Sequence, residues 1–186
     1  MTAVPSPRMG VSPLDDVLDP GFLEGISALP TDEIRLRRHQ ASEVEVDLSY
    51  LRRLVHGRLD ILLDESRRRD SGARSGDLPA LVRRLPKILG ERMSGPGRGG
   101  LPMLLYPPDA KADWLPGEDL IVDAEQLATL TELDDADLES KLSALAVFEE
   151  KVSADRRAVH GVIDRLQQEL VRRYKTGEAT IDGLLT

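Results

Sequence analysis

One stretch of about 25 residues occurs twice, and it decides what this chain can become. Residues 45–69 begin EVDLSYLRRLVHGRLD, and residues 149–173 begin EEKVSADRRAVHGVID. Aligned without a gap, the two windows agree at 12 of 25 positions: Glu45/Glu149, Ser49/Ser153, Arg52/Arg156, Arg53/Arg157, Val55/Val159, His56/His160, Gly57/Gly161, Asp60/Asp164, Leu62/Leu166, Glu65/Glu169, Arg68/Arg172 and Arg69/Arg173. A generic helical repeat shares mostly its apolar residues. Here the shared set is mainly polar, which marks the repeat as more than a packing device.

Within each copy Glu, Ser, Arg, His and Asp follow at steps of 4, 3, 4 and 4. At about 100° per residue they occupy a stripe roughly 80° wide, spread over about 22 Å of helix. The apolar residues lie beside that stripe. Leu48, Leu51, Val55, Leu59 and Leu62 form one seam; Leu145, Val152, Val159, Ile163 and Leu166 form its counterpart, with Asp155 standing where Leu51 stands in the first copy. The pattern predicts an all-α fold built on a long antiparallel two-helix coiled coil, with additional short helices and extended loops. If the seams pair antiparallel, a pseudo-two-fold axis brings both polar stripes to one groove.

The rest of the chain fits that plan. Aromatic residues make up 3% of the 186, so a core must come from Leu, Val, Ile and Ala; with 31% charged residues this favours a helical protein over a β-sandwich. The absence of Cys removes disulfides and thiolate chemistry and is compatible with a cytoplasmic setting. No apolar run reaches the length of a membrane span, and the first ten residues lack a signal-peptide pattern. A net charge of −8 argues against nucleic acid as the main ligand and suits the capture of a basic, DNA-binding protein.

Residues 1–30 read as a mostly disordered N-terminal tail, Pro-rich over 1–20, in which Phe22, Leu23, Ile26 and Leu29 are a candidate docking segment. Residues 31–176 form the helical domain. Its long helices are expected at about 31–70 and 134–175, the first capped by Thr31 and open to a break near Gln40 to Glu43, the second capped by Asp134 or Asp135 and ended by Gly177. A short amphipathic helix is expected at about 78–92, kinked or split by Pro86. A further short helix is expected within residues 118–133, and residues 177–186 are a tail. The loop SGPGRGG at 94–100 lacks the Lys-Ser/Thr end of a phosphate-binding loop.

A two-fold set of Glu, Ser, Arg, His and Asp has a definite chemistry. Arg presents a fork of donors to phosphate oxygens or to O6 and N7 of guanine. A carboxylate accepts from the N1 and N2 edge of guanine, and Ser and His add adaptable bonds. Cyclic di-GMP, with two guanines and two phosphates, matches that inventory and symmetry. Taken singly, Glu45 or Arg52 reads better as part of a solvated face, and a lone helical His is more often structural. It is the repetition of all five that favours a site. A metal-dependent hydrolase fits less well: no nucleophile, base and oxyanion set is visible, and neither copy has the Glu-x-x-His step of a di-metal bundle. A coiled-coil adaptor without a small-molecule ligand is the alternative reading.

These residues resemble the motif of the RsiG family, actinobacterial anti-sigma factors that hold the sporulation sigma factor WhiG in the presence of cyclic di-GMP. The family pattern is E-x3-S-x2-R-x3-Q-x3-D on both helices of an antiparallel coiled coil. Glu45, Ser49, Arg52 and Asp60 match it, as do Glu149, Ser153, Arg156 and Asp164; His56 and His160 stand at the Gln position. The resemblance implies a non-enzymatic protein that binds a cyclic di-GMP dimer with all ten of these residues, uses no metal, and sequesters a WhiG-type sigma factor as a monomer in a 1:1 complex. It implies no direct contact with nucleic acid or membrane.

Overall fold

In the computed structural model, residues 12–72, 78–90 and 129–179 are described. They form four α-helices: α1 (Pro13–Leu18), α2 (Thr31–Asp70), α3 (Leu78–Gly90) and α4 (Asp135–Thr176), with single 3-10 turns at Pro20–Phe22 and Leu130–Glu132. The described residues contain no strand, so the all-α expectation holds for them. They divide into two compact units. The first comprises residues 12–49 and 154–179, the second residues 50–72, 78–90 and 129–153. Both long helices run unbroken through their sequences, α2 over 40 residues and α4 over 42, so the break expected near Gln40 to Glu43 is absent.

The helix ends follow local chemistry. Asp32 and Glu33 place negative charge in the first turn of α2. Asp134 caps α4, its Oδ1 accepting from the Asp137 amide at 2.8 Å. Gly177, at φ +76°, takes the left-handed conformation that ends α4, a geometry that disfavours any residue with a Cβ. The short helix expected within 118–133 falls on residues outside the described set, except for the turn at Leu130–Glu132.

In the first unit the start of α2 pairs antiparallel with the end of α4. Arg35 donates to the Tyr174 hydroxyl at 2.7 Å, Arg38 to Gln167 at 2.7 Å, and Glu45 meets Arg156 at 2.9 Å, so one index falls as the other rises. Its core has two clusters. Ala41, Val44, Leu48 and Val159 close over Leu14 and Val17 of α1; Ile34, Leu166 and Leu170 close over Phe22, Leu23, Ile26 and Leu29. The segment around Phe22 to Leu29 therefore packs on the long helices. Residues 13–18, read from the sequence as tail, form α1 instead. Ser12 caps it through the Asp15 amide, Pro13 occupies a first-turn position where its missing N–H costs nothing, and Leu14 and Val17 supply the apolar side.

In the second unit the end of α2 pairs antiparallel with the start of α4, as Arg52 to Ser153 (2.8 Å) and Arg69 to Asp135 (2.8 Å) show. Leu51, Val55, Ile61 and Leu62 pack with Leu130, Leu138, Leu145, Phe148 and Val152, and α3 adds Leu81, Leu85 and Ile88. The split expected at Pro86 does not occur: α3 runs as one helix with Pro86 inside it. Pro86 and Val82, whose carbonyl loses its donor to the ring, both lie on the exposed side, where water can satisfy that carbonyl. Nearly every seam residue named from the periodicity is buried in its own unit; Leu59 and Ile163 are partly covered. Full burial of each such Leu or Val is worth about 1.5–3 kcal/mol.

The two repeated glycines differ in surroundings. A Cβ at Gly57 would lie 3.7 Å from Leu89 of α3, an ordinary contact, whereas a Cβ at Gly161 would meet nothing within 4 Å. Gly161→Ala should therefore raise stability by about 0.5–1 kcal/mol through helix propensity alone, read as a higher urea midpoint with an unchanged slope. A lower midpoint would show that the backbone at 161 needs glycine.

Candidate ligand-binding site: two arginine-centred clusters

The two motifs meet by halves. In the second unit Arg52 and His56 of α2 face Glu149 and Ser153 of α4. Arg52 Nε donates to Ser153 Oγ at 2.8 Å and to Glu149 Oε1 at 3.2 Å. Ser153 Oγ donates to Glu149 Oε1 at 2.7 Å, and His56 Nε2 lies 2.6 Å from the same oxygen. In the first unit the roles exchange between helices. Arg156 Nε donates to Ser49 Oγ at 2.8 Å and to Glu45 Oε1 at 2.9 Å. Ser49 Oγ donates to Glu45 Oε1 at 2.7 Å, and His160 Nε2 lies 3.2 Å from that oxygen. Each cluster is thus built from the Glu-Ser half of one motif and the Arg-His half of the other. The i, i+4 step makes this possible, because it stacks Glu over Ser on one helix and spaces Arg from His by one turn on the facing helix.

The electrostatics follow from the crowding of donors on one oxygen. Burial pushes the Glu149 carboxyl up, but the bonds from Ser153, His56 and Arg52 outweigh it and hold the group below its usual range. Burial likewise pushes Glu45 up, and Ser49, Arg156 and the nearby His160 bring it below its usual range. Both are therefore carboxylates at neutral pH and can only accept, so His56 Nε2 carries a proton and donates.

Each arginine is tethered through Nε alone. The Nη1 and Nη2 groups of Arg52 and Arg156 make no hydrogen bond among the described residues, and both side chains are about one-third exposed, at 35% and 32%. A guanidinium fixed at its inner nitrogen, with two outer donors uncommitted, is oriented before any ligand arrives. That geometry suits a planar acceptor pair such as two phosphate oxygens or guanine O6 and N7. Asp60 is half-buried in one unit and Asp164 exposed in the other, each one turn beyond its histidine. No three His, Asp or Glu residues converge as metal ligands among the described residues.

A model of the RsiG-like family matches residues 20–89 and 124–186, ranges that contain both motifs. The chain belongs to the RsiG-like family. No curated protein matches it. RsiG-like proteins have an anti-sigma factor role, which makes a sigma factor the partner class, and they are not an enzyme family. No described helix is long and apolar enough to cross a membrane.

A second duplicated set sits in this RsiG-like chain and received no role from the sequence, although the alignment contains it. Glu65, Arg68 and Arg69 correspond to Glu169, Arg172 and Arg173. In the second unit Glu65, with 0% exposure, accepts from Arg68 and Arg69, while Arg69 continues to the Leu130 carbonyl (3.2 Å) and to Asp135 at the start of α4. In the first unit Glu169 accepts from Arg172 and Arg173, and Arg173 continues to the carbonyls of Ile26 and Ser27 (3.1 Å each) and to the hydroxyl of Thr31. The bonds from Arg172 and Arg173 hold the Glu169 carboxyl down at about 2. In both units a cation at the end of one long helix thus ties down the chain entering the other.

Proposed function

We propose that this protein is a cyclic di-GMP-dependent anti-sigma factor. The two arginine-centred clusters bind cyclic di-GMP, two molecules per chain, and the loaded protein sequesters a sporulation sigma factor of the WhiG type. It does so in the cytoplasm, as a monomer in a 1:1 complex and without metal. The supporting observation is the repeated tether: Arg52 and Arg156 are each oriented by a Glu-Ser pair from the opposite motif, with the outer guanidinium donors left for a ligand.

The roles divide accordingly. Glu45, Ser49, Glu149 and Ser153 position the arginines. Arg52 and Arg156 engage guanine or phosphate, and His56, His160, Asp60 and Asp164 complete the polar network around them. Spreading the Arg-His and Glu-Ser halves over one chain gives a monomer both clusters.

Titration calorimetry with cyclic di-GMP, with and without a WhiG-type sigma factor, tests the reading. A ligand-to-protein ratio near two and tighter sigma binding in the presence of ligand are expected. Absence of heat with cyclic di-GMP would remove the ligand from the account. The same interhelical bonds also serve a coiled-coil adaptor that binds no small molecule; that reading expects sigma binding indifferent to cyclic di-GMP.

A further inference from the structure

We propose that the exposed face of α3 docks the sigma factor, taking an acidic segment of it that carries an apolar edge. This assignment rests on the anti-sigma reading and is independent of which small molecule the clusters hold.

Within the second unit, α3 is apolar on two faces. Leu81, Leu85 and Ile88 turn into the core. Pro79, Val82, Pro86 and Leu89, at steps of 3, 4 and 3, form a second apolar strip roughly 80° wide. All four are exposed, Val82 at 53% and Leu89 at 41%. A helix that is apolar on both sides has a second surface to cover. Beside that strip, one turn apart, stand Arg83 and Lys87. Both are exposed and make no ion pair among the described residues, whereas Arg84 is spent on Asp64 at 2.9 Å. Residues 78–90 thus hold three cations and no Asp or Glu, in a chain of net charge −8.

That charge pattern selects the occupant. A second copy of the chain would bring an identical basic strip to the contact. Anionic lipid would be repelled by the chain as a whole, and the strip offers two full apolar side chains and two prolines, too little to hold a bilayer. Two unpaired cations are too few for a nucleic acid. An acidic protein segment satisfies both strips: its carboxylates meet Arg83 and Lys87, and its apolar edge covers Val82 and Leu89. The partner class of an RsiG-like chain is a sigma factor. On a chain that is acidic overall, one basic helix also fixes which way round that partner lies.

The test is titration calorimetry of the full chain with a purified WhiG-type sigma factor, once with saturating cyclic di-GMP and once without it. The double variant Arg83→Glu, Lys87→Glu is expected to lose about tenfold or more in sigma affinity, and to depend less on salt than wild type. Val82→Ser, which leaves both charges in place, should lose about three- to tenfold. Both variants should keep the wild-type urea midpoint and wild-type cyclic di-GMP binding, since these side chains lie outside the core and the two clusters. Wild-type sigma affinity in the double variant overturns this inference alone. A lowered urea midpoint in both variants overturns it too, because the face would then be covered within the chain itself. Retention on phosphatidylglycerol vesicles that the double variant loses would assign the face to a membrane instead. Absence of cyclic di-GMP binding removes the ligand reading and leaves this one open to the ligand-free titration. A wild-type chain that binds no sigma factor in either condition overturns the anti-sigma reading, and this inference with it.

Discussion

Replacing Glu65 by alanine should cost about 3–5 kcal/mol of stability. The side chain is fully buried, and its two oxygens collect Arg68 and Arg69, with an Arg84 nitrogen from α3 at 3.7 Å. Burial alone would raise its pKa, yet the two hydrogen-bonded arginines keep it below the ordinary value of 4.5, so the carboxylate is charged where it sits. Deleting it leaves Arg69 its bond to Asp135 and Arg84 its bond to Asp64, but removes the buried anion that Arg68 and Arg69 share. The expected readout is a large fall in the urea midpoint. Glu65→Gln should fall between alanine and wild type, because the amide keeps shape and one acceptor but no charge. The same change at Glu169, whose side chain is 11% exposed, should cost less, since Arg172 is 44% exposed and keeps its bonds to Glu178. A Glu65→Ala protein as stable as wild type would mean that the remaining partners, Asp135 for Arg69 and Asp64 for Arg84 among them, suffice.

Arg52→Ala combined with Arg156→Ala should abolish cyclic di-GMP binding while leaving the protein folded. Each guanidinium that hydrogen-bonds a charged partner is worth about 1.5–3 kcal/mol, or roughly ten- to 150-fold in affinity, so loss of both takes the interaction out of the measurable range. Neither side chain belongs to a hydrophobic core cluster, and helical circular dichroism should be retained. Arg52→Lys is the more demanding variant. A lysine has no inner nitrogen to be held by Glu149 and Ser153 while two outer donors face the ligand, so it should lose most of the affinity despite keeping the charge. Wild-type binding by the double alanine variant would assign the ligand elsewhere.

Much of this architecture is legible in the residues. Leu48, Val55, Leu62, Leu145, Val152, Val159 and Leu166 recur with helical periodicity, and burial falls on them because that periodicity leaves no other face to cover. The ten candidate site residues are legible as two stripes, since repetition singles out polar positions that a lone helix would hide. What periodicity cannot supply is the partner across the helix pair. It places Glu45 and Arg52 on one stripe, but only the antiparallel register decides that Glu45 meets Arg156 and Arg52 meets Glu149. The Glu65 and Glu169 sets were missed for a related reason. Their i, i+3 and i, i+4 spacing is that of any solvated helix pair, and burial comes from residues 26–31 and 130–135, far away in sequence. α1 was hidden by its own composition: Pro13, Asp15 and Asp16 read as tail, while the same residues, preceded by Ser12, are a helix start once Leu14 and Val17 have a surface to cover.

The reciprocal arginines carry a consequence for how such a molecule comes apart. Arg173 grips Ile26, Ser27 and Thr31, so within the first unit the last turn of α4 cannot loosen without releasing the first turn of α2. Arg69 imposes the same rule in the second unit on Leu130 and Asp135. Helix termini ordinarily fray one at a time; here they are latched in pairs, and each pair opens as a single event or stays shut.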